Sequence, residues 1–167
     1  MDRVANLTRL LNPRSIAIVG ASERRSMSNV AMANLEGAVA AGVDLHLINP
    51  NAREAYGQQT SPSLKQIGGA VDAVLSLVGA DRTIGVVDEA GAIGAAGVVV
   101  VASGFAEAGE DGVVLQQQLV ATANAHGLAI IGPNCTGFAN MTAGISLFTG
   151  TAVDVRAGGI SVVSSSG

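Results

Sequence analysis

The sequence predicts an α/β protein in which an open, mostly parallel sheet of five to six strands carries helices on both faces. Two observations predict it. Short runs rich in aliphatic residues recur at 16–20, 44–48, 72–78, 97–102 and 128–131, and most are separated by stretches with apolar positions at helical spacing. Hydrophobic residues make up 49% of the chain and charged residues 13%, so its elements need burial on more than one face, as strands between two helical layers have.

The bulk numbers narrow the class further. A chain of 167 residues suits one domain with a full core. Aromatic residues are only 2% and the net charge is -4, which argues against a nucleic acid as partner, because there is little to stack on bases and the charge opposes a phosphate backbone. The most apolar uncharged run, Ala90 to Ala106, is broken by glycines and falls short of the roughly 20 residues that span a bilayer, so a soluble protein is expected. The first residues, MDRVANLTRLL, lack the apolar core and cleavage pattern of a signal peptide. Cys135 is the single cysteine, which leaves no internal disulfide and fits a reducing cytoplasm.

Each element follows from its residues. Asp2 to Leu11 reads as an amphipathic helix with Val4, Leu7, Leu10 and Leu11 inward, ended by Asn12-Pro13. Ile16 to Gly20 is a buried strand that breaks into a polar loop, and a helix runs from Ser28 to Ala41 with Gly42 as its stop. Asp44 to Ile48 closes a βαβ unit and ends at Asn49-Pro50-Asn51. Residues 52–60 read as polar and irregular. Ser61-Pro62 opens a short helix that Gly68-Gly69 ends. Asp72 to Val78 is the third strand, Asp81 to Ala92 a helix, and Gly97 to Ala102 the fourth strand. A loop through Ser103 to Asp111 leads to a helix over Val113 to His126. Leu128 to Ile131 is the fifth strand, and Gly158 to Gly167 holds a turn and a sixth strand, either at an edge or as the start of something further.

This alternation is that of a Rossmann-like sheet, where ligands lie outside the carboxyl ends of the strands. The loops at those ends are Gly20 to Ser26, Asn49 to Asn51, Val78 to Ala80, Ser103 to Glu107 and Pro133 to Thr136. The first is a phosphate-sized turn ahead of a helix, with an ordinary strand-to-helix connection as the alternative. A dinucleotide site would want Gly-x-Gly-x-x-Gly after the first strand and an acid at the end of the second. Neither is present: Gly20 is followed by Ala21, Ser22, Glu23, Arg24 and Arg25, and the second strand ends in Asn49. An NAD-dependent dehydrogenase domain is therefore the weaker reading. Two adjacent arginines suit a ligand richer in phosphate, because a guanidinium meets two phosphate oxygens at once; a solvated surface pair is the plain alternative.

The ordered series NPRSIAIVGAS, LINPN, SLVGA, VVVVASGFAEAG, IIGPNCTGFAN and GGISVVSSSG resembles the N-terminal CoA-binding domain of NDP-forming acyl-CoA synthetases, a group that includes ADP-forming acetate–CoA ligases and, more distantly, the α subunit of succinyl-CoA synthetase. The resemblance implies that residues 1–157 form a CoA-binding domain and that 158–167 begin a flavodoxin-like ligase domain. It implies that Gly20, Ala21, Ser22, Arg24 and Arg25 meet the nucleotide and phosphates of coenzyme A, and that Asn49, Pro50 and Asn51 flank its adenosine. Val78, Gly79, Ser103, Gly104 and Phe105 would line the path of the pantetheine arm, with Asn134 and Cys135 near the place where the thioester is made.

In such enzymes acid, CoA and ATP give acyl-CoA, ADP and phosphate through a phosphohistidine, and ATP and magnesium belong to flavodoxin-like and ATP-grasp domains. The resemblance makes those domains the partners of this one, with no nucleic acid and no membrane, and implies that the domain alone is inactive. Two positions depart from the family pattern. Asn51 stands where many relatives have Lys, leaving Arg24, Arg25 or Arg53 to supply a phosphate contact, and Ser165 stands where Gln is common. His46 and His126 match no phosphorylated histidine and read as structural or surface residues. Cys135 reads as a small buried group rather than a nucleophile, and Glu107 faces the strand ends where it can orient ligand groups. A free-standing CoA or nucleotide sensor is the alternative function.

Overall fold

The computed structural model describes residues 3–151 and 156–164. Its centre is a parallel sheet of β1 (Ser15–Val19), β2 (Asp44–Ile48), β5 (Ala73–Ser76), β6 (Gly97–Val100) and β7 (Ala129–Ile131). These are the five expected strands. Two short strands, β3 (Glu54–Ala55) and β4 (Gln58–Ser61), extend the sheet to seven in the order β3-β4-β2-β1-β5-β6-β7. β4 runs parallel to β2, pairing Leu47 with Thr60 and Ile48 with Ser61, while β3 turns back antiparallel. The sheet is therefore larger than the five to six strands expected, and the stretch 52–60 is a hairpin rather than irregular. Its two-residue turn, Tyr56-Gly57, has φ of +54° and +68°, the sign a tight twisted hairpin turn requires at both positions.

Two apolar layers flank the sheet. On one face Ile16, Ile18, Leu47 and Leu75 pack against Leu35 and Ala31 of α2 (Ser26–Ala40) and Leu10 of α1 (Arg3–Leu11). On the other, Ala17, Val74, Val98 and Val100 meet Val87 of α3 (Ala80–Ala92) and Leu119 of α4 (Glu110–His126). Alternate residues of each strand enter opposite clusters, the period-2 consequence of a pleated strand with helices on both sides.

A second sheet is a hairpin of β8 (Gly137–Asn140) and β9 (Ile145–Phe148), which the sequence reading missed. It lies on α2: Ile145 and Leu147 join the first core cluster, and Asn34 Nδ2 donates to the carbonyls of Phe148 at 2.7 Å and Gly150 at 2.9 Å. α1 is tied down by Asn6, whose amide donates to Gly127 O at 2.8 Å, and by Arg9, whose Nη2 is 2.8 Å from Asp72 Oδ1. Three other expectations are corrected. The helix after Ser61-Pro62 is a single 3-10 turn at Leu64–Gln66, long enough only to bury Leu64. α2 begins at Ser26, two residues earlier than expected. Residues 156–164 form no strand and are exposed, Val163 at 99%, so the strand expected near Ile160 to Val163 is absent there; residues 165–167 lie outside the described residues.

Candidate functional site

β1 has β2 on one side and β5 on the other, both parallel to it, so the order in which strands are added reverses there, and a crevice opens where the connections after neighbouring strands part. A cavity of about 650 Å³ occupies that place. It takes in the first loop from Gly20 to Arg25, the Asn49-Pro50-Asn51 turn after β2, and Val78 after β5. Eight of the residues named from the sequence as nucleotide contacts, together with Val78, thus share one cavity. Three groups were not foreseen: Pro62 to Leu64, the β3 segment with Ala52, Glu54 and Ala55, and a face of α3 formed by Arg82, Gly85, Val86 and Glu89.

The first loop is held from beneath by a chain of hydrogen bonds. Ser22 N–H donates to Ser28 Oγ at 3.0 Å, Ser28 Oγ lies 2.8 Å from the Tyr56 hydroxyl, and that hydroxyl lies 2.6 Å from Asn29 Oδ1. Proton counting sets the directions. Asn29 Nδ2 donates to Glu23 O at 3.0 Å, which leaves Oδ1 as acceptor; Tyr56 O–H therefore donates to Asn29 and accepts from Ser28. The Tyr56 amide N–H in turn donates to Glu23 Oε1 at 2.6 Å. Ser28 is fully buried at the middle of this network. Tyr56 is the single tyrosine of the chain, and the one available signal for it was an isolated aromatic followed by glycine in a polar stretch.

The second loop is joined to the first by Asn49. Its Nδ2 donates to Ala21 O at 2.8 Å and its Oδ1 accepts the Asn51 N–H at 2.9 Å, so one side chain sets the spacing of the two walls. Gly20, at φ +89°, carries the chain out of β1, and a Cβ there would sit 3.2 Å from Val78 Cγ1. The close approach of β1 and β5 loops needs that bare position.

The charges divide by what already engages them. Arg25 Nη1 donates to Leu77 O at 2.9 Å, bridging the first loop to the end of β5. Among the described residues, the guanidinium groups of Arg24 and Arg82 meet no hydrogen-bond or ion-pair partner. The carboxylates of Glu23 and Glu89 each accept a backbone N–H, from Tyr56 and from Leu64. α2 starts beside this loop, and its first turn carries no side-chain cap. Uncapped amides, the positive end of a helix and two unengaged guanidiniums make the first-loop end of the cavity a place for phosphate.

The other expected residues sit elsewhere. Ser103, Gly104, Asn134 and Cys135 do not line this cavity, and Gly79 stands next to it as the residue before α3. Phe105 is a correction: its ring is fully buried in the second core cluster and presents no surface to a ligand. Gly112 of α4 packs on the Phe105 backbone so closely that a Cβ there would lie 1.8 Å from the carbonyl oxygen. Glu107 turns back on its own loop, accepting the N–H groups of Gly104 at 2.7 Å and Phe105 at 3.3 Å rather than pointing to a ligand. The Gly104 amide first, then its own amide, hold its carboxyl below the usual range, against a smaller opposing effect of burial.

Cys135 is half-buried and its S–H lies 3.4 Å from Val100 O and 3.6 Å from Ile131 O. Burial pushes its thiol up, with the Gly137 amide acting weakly the other way, which opposes a nucleophilic role. His46 and His126 pair with surface acids, Asp44 at 3.2 Å and Asp88 at 2.9 Å, away from the cavity.

Comparison with known proteins decides the family. The family model described as "CoA binding domain" matches residues 14–141. The chain belongs to that family. Its homologues include ADP-forming acetate–CoA ligases: this CoA-binding domain is 32% identical over 157 residues to the acetate–CoA ligase [ADP-forming] II subunit alpha of Pyrococcus furiosus, covering 93% of this chain and 34% of that protein. It is 34% identical over 135 residues to acetate–CoA ligase [ADP-forming] I of Archaeoglobus fulgidus, covering 80% of this chain and 19% of that one. A solved structure of the Ca. Korarchaeum cryptofilum dinucleotide forming acetyl-coenzyme A synthetase 1, in complex with phosphate and ADP, superposes with a TM-score of 0.76 at 30% identity over 86% of this chain and 31% of that chain. The chain thus spans between 19% and 34% of the length of these relatives. None of the described helices is long and apolar enough to cross a membrane.

Proposed function

We propose that this chain binds coenzyme A as one domain of an ADP-forming acyl-CoA synthetase, with the nucleotide end of CoA in the cavity between the first loop and α3. The observation that supports this best is the gathering of Gly20 to Arg25, Asn49 to Asn51 and Val78 around one crevice at the reversal point of a parallel sheet, with two unengaged guanidiniums on its wall. The donor set fits the ligand. A CoA nucleotide carries a 3′-phosphate and a pyrophosphate, and Arg24 and Arg82 with the uncapped first turn of α2 supply charge and N–H donors for them. The missing lysine at Asn51 is then made good by Arg24 and Arg82.

On this reading the pantetheine arm leaves along the strand ends toward the Gly79, Ser103-Gly104 and Asn134-Cys135 loops, and the acid is activated outside this domain. Residues 158–167 lead toward a flavodoxin-like domain, ATP and magnesium are handled by that domain and an ATP-grasp unit, and the compartment is the cytoplasm. Acyl-CoA, ADP and phosphate are the products of the whole enzyme.

Titration calorimetry of this chain with CoA, dephospho-CoA and NADH tests the reading. CoA is expected to bind tightest and dephospho-CoA more weakly, for want of the 3′-phosphate. Binding of NADH with none of CoA would overturn it.

A further inference from the structure

We propose that Glu89 makes the far end of the cavity a slot for a purine bearing a 6-amino group, so that this domain selects adenine over 6-oxo purines. The inference rests on the CoA reading of the cavity and adds the basis of its base selectivity. Arg82, Gly85, Val86 and Glu89 recur at three- and four-residue spacing, which places them on one face of α3, about 10 Å from first to last. The phosphate-binding charge lies at the start of that face, near the strand ends. Glu89 lies two turns further on, the distance that separates a phosphate from a base in a nucleotide.

The surroundings of Glu89 are those of a base edge. Pro62, Val78 and Val86 give the cavity apolar walls, with Ile48 and Leu64 almost wholly buried behind them. Such walls hold a flat ring by dispersion and exclude water from its edge. Glu89 is half-buried, and its Oε2 accepts the Leu64 N–H at 3.1 Å, which fixes the carboxylate in the plane between α3 and the 3-10 turn. Its Oε1 has no hydrogen-bond donor among the described residues. A carboxylate oxygen held at an apolar wall accepts and cannot donate. It therefore welcomes the N–H of an exocyclic amine and repels the lone pairs of a carbonyl oxygen at the same ring position, as a site built for one hydrogen-bonding pattern does.

The test compares adenosine 3′,5′-bisphosphate with inosine 3′,5′-bisphosphate by calorimetry, with CoA titrated alongside. The native chain is expected to bind the adenosine form tighter by on the order of 10- to 100-fold, the range for one hydrogen bond to a charged group. In Glu89→Gln the amide keeps its oxygen on the Leu64 N–H and turns its NH₂ to the base, so the preference should fall toward equality through a gain for the inosine form. A native ratio near one overturns the proposal, as does a Glu89→Gln chain that loses affinity for both ligands equally, which is what a mere prop for the 3-10 turn would do. Normal CoA binding with no base preference removes this inference and leaves the CoA reading standing; absence of CoA binding removes both.

Discussion

Arg24 and Arg25 are neighbours in sequence and differ in what holds them. Arg25 bridges to the Leu77 carbonyl, whereas the Arg24 guanidinium is unengaged among the described residues. Replacing Arg24 by Ala should weaken CoA by about 1.5 to 3 kcal/mol per charged hydrogen bond lost, with the melting temperature unchanged. Replacing Arg25 should weaken CoA and lower the melting temperature as well, because a bond between the first loop and the end of β5 goes with it; equal melting temperatures for the two variants would contradict this. Tyr56 acts through Ser28 and Asn29, so Tyr56→Phe removes the donor to Asn29 and the acceptor for Ser28 while keeping the ring. The cost should be about 1 to 3 kcal/mol in denaturant unfolding, since the buried Ser28 loses its acceptor. For Cys135, burial raises the thiol, and alkylation by iodoacetamide near neutral pH should be slower than for a free cysteine peptide, rising with pH.

At the scale of elements, the Ser103 to Glu107 loop and α4 behave as one piece. Phe105 anchors it in the core, Glu107 closes it on the Gly104 N–H, and Gly112 lets α4 rest against the Phe105 carbonyl. An alanine at 112 would gain about 1 kcal/mol of helix propensity in isolation. Here its Cβ has no room, so Gly112→Ala should destabilise by about 1 to 3 kcal/mol, the cost of overpacking, and lower the melting temperature. Glu107 gives the loop a pH dependence. Its folded carboxyl is held below the unfolded value, so its contribution is complete above the ordinary glutamate range, about pH 4 to 5, and is lost as pH falls through the folded value. Glu107→Gln should therefore show a smaller loss of melting temperature on acidification than the native chain, and an identical acid limb would remove this account.

For the whole molecule, the sheet order places the ends of β1, β2 and β5 side by side, and the cavity follows from that order rather than from any one loop. The five core strands were legible because each is a short aliphatic run bounded by turn residues, and burial on both faces removes the need for alternation. The β3–β4 hairpin was not: Gln58, Gln59 and Thr60 are polar although β4 lies between β3 and β2, and Tyr56-Gly57 lacks the asparagine or aspartate that usually marks such a turn. The β8–β9 hairpin was hidden by its shortness, with four residues in each strand, and its Ile145 and Leu147 are buried in the cluster that holds Ala31 and Leu35 of α2. The sixth strand expected in GGISVVSSSG illustrates the opposite error, since Ile160, Val162 and Val163 have strand-forming character and no neighbouring strand among the described residues.

The sequence by itself determined the alternation of strands and helices, the position of the loops at the carboxyl ends and the absence of a dinucleotide fingerprint, because each depends on residues close together in the chain. Tertiary structure decided which loops share a cavity. It brought Arg82 and Glu89 of α3 to the first loop, tied Arg25 to a carbonyl 52 residues away and turned Phe105 into the core. Those outcomes depend on strand order and on the packing of helices against the sheet, and no local periodicity carries that information.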